Sequence, residues 1–372
     1  MQILKKIKSR LQQRRDQLRR FVGCWLFDIR REPAPDIINV KHVVIVRWDA
    51  KLGDSIVSSW FARELKKHDP SIQVDVITPE SLSSMYKEHF KLDIIYPSKK
   101  RPGYTDLNKL AEKIGQIDLL IHFGKKLKMK DIYFINKVKA RFVAGLDDEL
   151  HSINIKLGQT TAGQHFCEKF ATLAMKCGVK EPNKTYILPY TDIHIKNITP
   201  AWPKNSPVIT INPYGSGNSR KLSSDNIKQL VSNLTSVLEK NTKFCLLFSP
   251  ETKDEVLELS NSLNNTFCCK ESKSIGDVIA QIALSDGIVS VDTATIHIAS
   301  GLSKPILGLY NPDMVNFSEW GPNTPKSHII FSKKTDPMDI NQLPWDELEE
   351  NIQNWWHSIK LNQSDFNLNK KP

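Results

Sequence analysis

Three stretches of this chain set glycine, acid and base side by side at spacings that suit phosphate or proton chemistry. The first runs Arg47-Trp-Asp-Ala-Lys-Leu-Gly-Asp54, after an apolar run and before an amphipathic stretch starting near Ser55. Gly53 permits a tight turn there, and Asp54 falls at a helix N-terminus. On local grounds Asp54 suits a helix cap, for which Asp is a favoured residue, and Gly-Asp alone is a weak signal for anything more. The second stretch is Asn212-Pro-Tyr-Gly-Ser-Gly-Asn-Ser-Arg-Lys221, before a helix that starts at Ser223 or Ser224. Around Gly215 and Ser216 the backbone N–H groups can approach an anion, the helix start adds positive potential, and Arg220 and Lys221 supply full charges. That composition describes a diphosphate cradle. It lacks the Gly-Lys-Ser/Thr ending of a P-loop and is not Gly-x-Gly-x-x-Gly, and an ordinary solvent loop uses the same residue types. The third stretch, from Gly287 to Gly301, is a buried apolar run leading into Asp292, Thr293, Ala294 and His297. Asp292 and Thr293 can cap a helix, or offer a carboxylate and a hydroxyl to a sugar while the next amides meet phosphate. His297, taken alone, suits a packed or capping histidine as well as a ligand.

The elements that must hold these motifs follow from hydrophobic patterning. Short Val/Ile-rich runs at 43–47, 74–78, 93–96, 118–123 and 141–144 alternate with amphipathic stretches. A second series has strands at 208–212, 243–248, 266–269, 287–291 and 305–310, with helices near 224–239, 252–263, 275–285 and 293–300. Such alternation predicts right-handed βαβ units and parallel sheets covered on both faces. The segment from about 189 to 207, with Pro189, Pro200, Pro203 and Pro207, reads as an inter-domain linker. The expected organisation is therefore a basic N-terminal extension (1–38), a first Rossmann-like domain (39–195), a second (205–342) and a C-terminal closing helix and tail (343–372). A length of 372 residues suits two cores rather than one. In open parallel sheets ligands bind beyond the carboxyl ends of the strands, where all three motifs fall, and two facing sheets would enclose a central cleft.

The net charge of +11 is concentrated at the start. Residues 1–35 hold ten Lys/Arg against Asp16, Asp28 and Glu32, which makes that segment +7 and leaves +4 for the remainder. Ile3, Leu4, Ile7, Leu11, Leu18, Val22 and Trp25 recur at helical spacing, which predicts a basic amphipathic helix. Near anionic lipid each cation contributes about 1 kcal/mol, so the segment suits a membrane surface; a solvated basic tail is the competing reading. The apolar run Phe21–Phe27 is short, late and followed by Asp28 and two arginines, unlike a secretory signal. Six cysteines without Cys-x-x-Cys resemble neither a disulfide framework nor a zinc site and suit a reducing cytoplasm. Aromatic-basic interleaving of the kind used on nucleic acids is missing from the folded part.

In this order and spacing the three motifs resemble the ADP-heptose lipopolysaccharide heptosyltransferases, glycosyltransferase family 9, over roughly residues 40–360. The most specific part is Val-Ser-Val-Asp-Thr…His followed by Lys304-Pro-Ile-Leu-Gly-Leu-Tyr-Asn-Pro312. The resemblance implies a GT-B architecture, the acceptor held by the N-terminal half, ADP-heptose held by the C-terminal half, and inverting transfer without metal or other cofactor. It makes Asp54 the catalytic base and Arg220, with Lys221 beside it, the diphosphate ligand. Gly215, Ser216, Asp292, Thr293, Ala294 and His297 join the donor site, and Glu251 sits where a ribose-binding acid is expected. The absence of Asp-x-Asp agrees with a mechanism without a metal clamp. Lys99, Lys100, Arg101, Lys125 and Lys126 are candidates for an anionic lipopolysaccharide core, each equally at home as solvated loop cations. The implied partners are the nucleotide sugar, the core acceptor and, through the N-terminal helix, the cytoplasmic face of an inner membrane. Departures from the family pattern are Ala294 for Gly, Thr295 for Leu, and Leu222-Ser223 for Trp-Pro. A transferase with another nucleotide sugar, or an idle membrane-associated scaffold of the same fold, are the alternatives, since the fold also hosts sugar-nucleotide epimerases.

Overall fold

In the computed structural model the described residues are 2–34 and 36–357, with side chains from Leu11 onward. The expected apolar and basic side chains of residues 1–10, and the expected C-terminal tail beyond 357, lie outside them. The chain divides into two units, Met1–Thr185 and Tyr186–Pro372.

The first unit contains α1 (Gln2–Phe27), β1 (His42–Val46), α2 (Leu52–Val57), α3 (Phe61–His68), β2 (Gln73–Thr78) and β3 (Ile95–Pro97). It continues with α4 (Tyr104–Ile114), β4 (Gln116–His122), α5 (Met129–Lys137), β5 (Lys139–Gly145), β6 (Ile155–Lys156) and α6 (Phe166–Lys176). Its six strands are parallel in the order β3-β2-β1-β4-β5-β6. Val43, Val44, Val74, Val76, Leu119, Leu120 and Val143 are fully buried, as expected of strands covered on both faces.

The second unit contains α7 (Asp192–Ile198), β7 (Val208–Asn212), α8 (Ser224–Val237), β8 (Lys243–Leu246), α9 (Lys253–Ser262) and β9 (Thr266–Phe267). It continues with α10 (Ile275–Leu284), β10 (Gly287–Val291), α11 (Ala294–Gly301), β11 (Ile306–Tyr310), α12 (Met314–Trp320) and β12 (Ser327–Phe331), then a helical segment over 348–357. Its sheet is again all parallel, in the order β12-β11-β10-β7-β8-β9. Trp355, Ile352 and Leu348 pack into its core beside Ile209 and Val289, which seats the C-terminal segment on this unit.

Within each unit the first strand of the series lies between the second and the fourth. Chain order therefore reverses direction at β1/β4 and at β7/β10, and a crevice opens at the carboxyl ends of such a pair.

The core strands form where expected. Two edge strands, β6 and β12, did not stand out: β6 has two residues, and β12 is mostly half-buried, so its apolar pattern is weak. The stretch expected to be an irregular linker instead carries α7, whose Ile198 and Ile195 pack against the cluster of Val208, Cys245 and Ala280. Prolines at 189, 200, 203 and 207 flank this helix rather than interrupt it, which is why the helix was hidden.

Candidate active site

At the β1/β4 reversal the chain leaves β1 through Arg47 to Lys51 and enters α2. Ala50 there has φ +57°, a left-handed conformation that costs a residue with a β-carbon roughly 1–2 kcal/mol. Asp54 is not the cap of α2. The helix starts earlier than expected, Lys51 occupies the cap position without a side-chain hydrogen bond, and Asp54 lies in the first turn. Its carboxylate, 16% exposed, faces Nη2 of Arg47 at 3.4 Å and Nζ of Lys51 at 3.9 Å. Burial pushes the Asp54 carboxyl above the ordinary aspartate range, with Arg47 and Lys51 opposing that rise.

Arg47, 7% exposed, reaches Asp49 at 3.6 Å as well. Burial works against its charge, but Asp49 and Asp54 more than offset that, so the guanidinium stays cationic. Its Nε and Nη2 make no aligned hydrogen bond, which leaves buried donors next to a candidate base. Beside them lies a pocket of about 140 Å³ lined by the ends of β1 and β4, including Val46, Arg47, Trp48, Asp49, His122 and Gly124. Trp48 packs edge-on against His122 with ring centroids 5.6 Å apart, and the His122 ring nitrogen lies 3.3 Å from Asp131. Tyr86, buried, donates to Ser55 Oγ at 2.7 Å and so braces α2 from behind. Sequence reading named Asp54 alone here. Arg47 stood in the quoted motif and its basic type was visible, but nothing local marks it as buried.

At the β7/β10 reversal the loop after β7 folds back on itself through an isolated bridge between Tyr214 and Lys221. Gly217 sits at φ +90°, and a β-carbon on Gly215 would lie 2.9 Å from Arg220 Cβ and 3.1 Å from the Asp292 carbonyl oxygen. Glycine is therefore demanded at both positions, by conformation at one and by packing at the other. Arg220 donates Nη1 to Asp292 at 2.9 Å, Nη2 to Ser216 Oγ at 3.0 Å and Nε to the Ser216 carbonyl at 3.2 Å. The structure thus joins Gly215, Ser216, Arg220 and Asp292 into one cluster.

Asn316 of α12 completes the cluster, donating to the same Asp292 oxygen at 3.0 Å, and Asn311 donates to the Ser219 carbonyl at 2.8 Å. Neither asparagine was singled out as a site residue: Asn311 stands in the Lys304–Pro312 run, which was quoted for the family resemblance alone, and Asn316 stands in no quoted motif. Thr293 takes the cap position of α11 in extended conformation without a side-chain cap bond, leaving its hydroxyl uncommitted to the helix, and Ala294 is the first helical residue. Thr295 is buried: its hydroxyl accepts from Asn212 Nδ2 at 2.9 Å and lies 2.7 Å from Ser290 Oγ. A threonine where leucine was expected thus links the ends of β7 and β10. His297 is buried and packs edge-on to Trp320 at 6.1 Å.

Glu251 is exposed in the turn Pro250–Thr252 after β8. The Ser249 hydroxyl chiefly, and Lys221 as a nearby charge, hold its carboxyl below the usual range, so Lys221 and Glu251 are neighbours on this rim. Lys99, Lys100 and Arg101 follow β3 in an exposed loop, where Lys99 reaches Asp106 at 3.2 Å. Lys125 and Lys126 are exposed after β4, next to Leu127, whose carbonyl accepts from Arg20 at 2.7 Å.

Residues 108–342, more than half of the chain, match the family glycosyltransferase family 9 (heptosyltransferase). The chain belongs to this family. It is thus a family 9 glycosyltransferase. A putative lipopolysaccharide heptosyltransferase 4 of Escherichia coli K12 is 23% identical over 326 residues, covering 82% of this chain and 85% of that protein. Among solved structures, a glycosyl transferase family 9 protein of Veillonella parvula superposes with a TM-score of 0.66 at 15% identity, covering 89% of this chain and all of that one. The E. coli ADP-heptose lps heptosyltransferase II superposes with a TM-score of 0.64 at 16% identity, covering 86% and 99%. At those identities the superpositions speak for the GT-B-type fold of this glycosyltransferase, two Rossmann-like parallel-sheet units. Among its described residues no helix is long and apolar enough to cross a membrane.

Proposed function

We propose that this glycosyltransferase moves a heptose from ADP-heptose to a hydroxyl of the lipopolysaccharide core, with inversion at the anomeric carbon and without a metal ion, working at the cytoplasmic face of the inner membrane. The observation that carries the reading is the cluster of Gly215, Ser216, Arg220 and Asp292 at the β7/β10 reversal, in a chain of the heptosyltransferase family. A glycine-lined loop with one fixed guanidinium fits a diphosphate, and Arg220 and Lys221 offer the charge a departing ADP needs where no cation is recruited. Thr293 and the first residues of α11 directly follow Asp292, which that guanidinium holds, and suit the sugar side of the donor, while Glu251 suits the ribose. The names of the E. coli relatives support lipopolysaccharide as acceptor and ADP-heptose as donor.

In this reading Asp54 removes the acceptor hydroxyl proton as that oxygen attacks the anomeric carbon. The bond from that carbon to the diphosphate oxygen breaks with its electron pair, which leaves on ADP. General-base assistance of this kind contributes roughly 10²- to 10⁴-fold. Arg47 opposes the rise that burial imposes on this carboxyl and so favours its ionised form.

The test is transfer by wild type and Asp54→Ala from ADP-heptose to a series of truncated core acceptors, followed by mass spectrometry. A gain of one heptose that the variant loses supports the proposal. A gain only from another nucleotide sugar moves the donor assignment, and no gain from any donor overturns the transferase mechanism on this acceptor.

A further inference from the structure

The apolar stripe of α1 points away from the protein. Leu11, Leu18 and Trp25, seven residues apart and so on one side of a helix, are 62%, 65% and 80% exposed, and Phe21 beside them is 71% exposed. A core-facing amphipathic helix would bury that stripe. Here a different face does the packing. Arg20, nearly opposite, grips buried Asp147 with both terminal nitrogens at 2.6 and 2.9 Å and reaches Glu149 at 2.9 Å. Gly23 meets α5 so closely that a β-carbon would stand 2.8 Å from Met129 Cα, and Phe27 packs edge-on against Tyr133 at 5.0 Å. The following segment is pinned as well: the Asp28 carboxylate accepts from the amides of His151 and Ser152 at 2.9 and 2.7 Å.

Arginines accompany the free stripe: Arg14 stands within it between Leu11 and Leu18, and Arg15 and Arg19 flank it, all three exposed. An exposed apolar ridge interrupted and flanked by arginine matches the acyl boundary and phosphate layer of an anionic bilayer.

We propose that the outer face of α1 is an interfacial anchor that seats in an anionic lipid surface, while its inner face, through Arg20 and Gly23, fixes the acceptor unit to that anchor. Docking then needs no release of the helix, and α1 acts as a fixed platform rather than a loose tether. This deepens the reading of the acceptor as a lipid-borne saccharide and rests on it for the reason such an anchor is useful.

The test uses the full chain in co-sedimentation with vesicles of phosphatidylcholine alone and of phosphatidylcholine carrying roughly a third phosphatidylglycerol. Wild type is compared with the double variant Leu18→Glu, Trp25→Glu. Both substitutions fall on solvent-facing positions, so thermal unfolding and transfer to a soluble delipidated acceptor stay as in wild type. The expected result is partition of wild type onto the anionic vesicles and a loss of about tenfold or more in the variant. Equal partition of the two proteins, or no wild-type binding to anionic vesicles, overturns the proposal. So does a wild-type dimer that the same substitutions dissociate, since a second copy would then cover the stripe. Vesicle binding with no transfer on the soluble acceptor leaves the anchor standing and counts against the transferase reading alone.

Discussion

Burial, opposed by a paired arginine, decides how Asp54 behaves. Burial raises its pKa and Arg47 restrains the rise, so activity should fall on the acidic side at a higher pH than an ordinary aspartate would impose. Removing the cation by Arg47→Met takes away a group that favours the carboxylate, and the acid limb of a kcat/KM profile should move to still higher pH. An unmoved limb would assign the titration to another group. The folding consequence has the opposite sense to a salt-bridged surface acid. Because the folded state holds the proton more tightly than the unfolded chain, the Asp54 contribution to stability declines as pH rises from the ordinary aspartate range through the raised value. Asp54→Asn should therefore lower kcat by roughly 10²- to 10⁴-fold without lowering the neutral-pH melting temperature, a split visible by steady-state kinetics alongside calorimetry. On the donor side Gly215→Ala has no room beside Arg220 and the Asp292 carbonyl. It should cost about 1–3 kcal/mol of stability and raise the donor KM more than it lowers kcat.

The elements differ in how firmly their roles could be read. Strands β7 and β10 stand where the Val/Ile runs place them, residue for residue, because a central parallel strand is buried at every position and so mostly apolar, with no face alternation to blur it. Helix α2 begins before the expected Ser55, since Lys51 gives no capping signal and Asp54 mimics one. Helix α1 illustrates the limit of periodicity. Spacing reveals that its apolar residues share a face, but only the position of α5 and Asp147 decides which way that face turns. Cutting the inner contact should be felt: Arg20→Ala leaves Asp147, which is 2% exposed, with the Leu127 amide in place of the guanidinium fork, and should cost about 1–3 kcal/mol, read as a lower midpoint in urea with transfer to a soluble acceptor retained. A midpoint equal to wild type would mean that α1 is not clamped.

For the whole molecule the two units bear different expectations. If the β7/β10 cluster takes the nucleotide, ADP at about a hundred times its dissociation constant should stabilise the native chain by about 2.7 kcal/mol, detectable as an upward shift in thermal unfolding. Arg220→Ala should abolish that shift while Asp54→Asn, on the other unit, preserves it. A shift that survives Arg220→Ala would move the diphosphate elsewhere.

Fold class and the positions of the three motifs were determined by the sequence alone, because strand burial and loop chemistry are local: apolar runs, glycines and caps carry their meaning within a few residues. The glycosyltransferase family was legible for the same reason, in Val-Ser-Val-Asp-Thr…His and the run after Lys304. What only tertiary structure decided is which groups meet. Arg47 became a buried partner of Asp54, Asn316 joined Arg220 on Asp292 from 24 residues downstream of that aspartate, and Thr295 became a link between two strands rather than a misfit. The first depends on burial that turns an ordinary charge into one that must be paired, and the other two on contacts between segments whose separation in sequence carries no periodic signal.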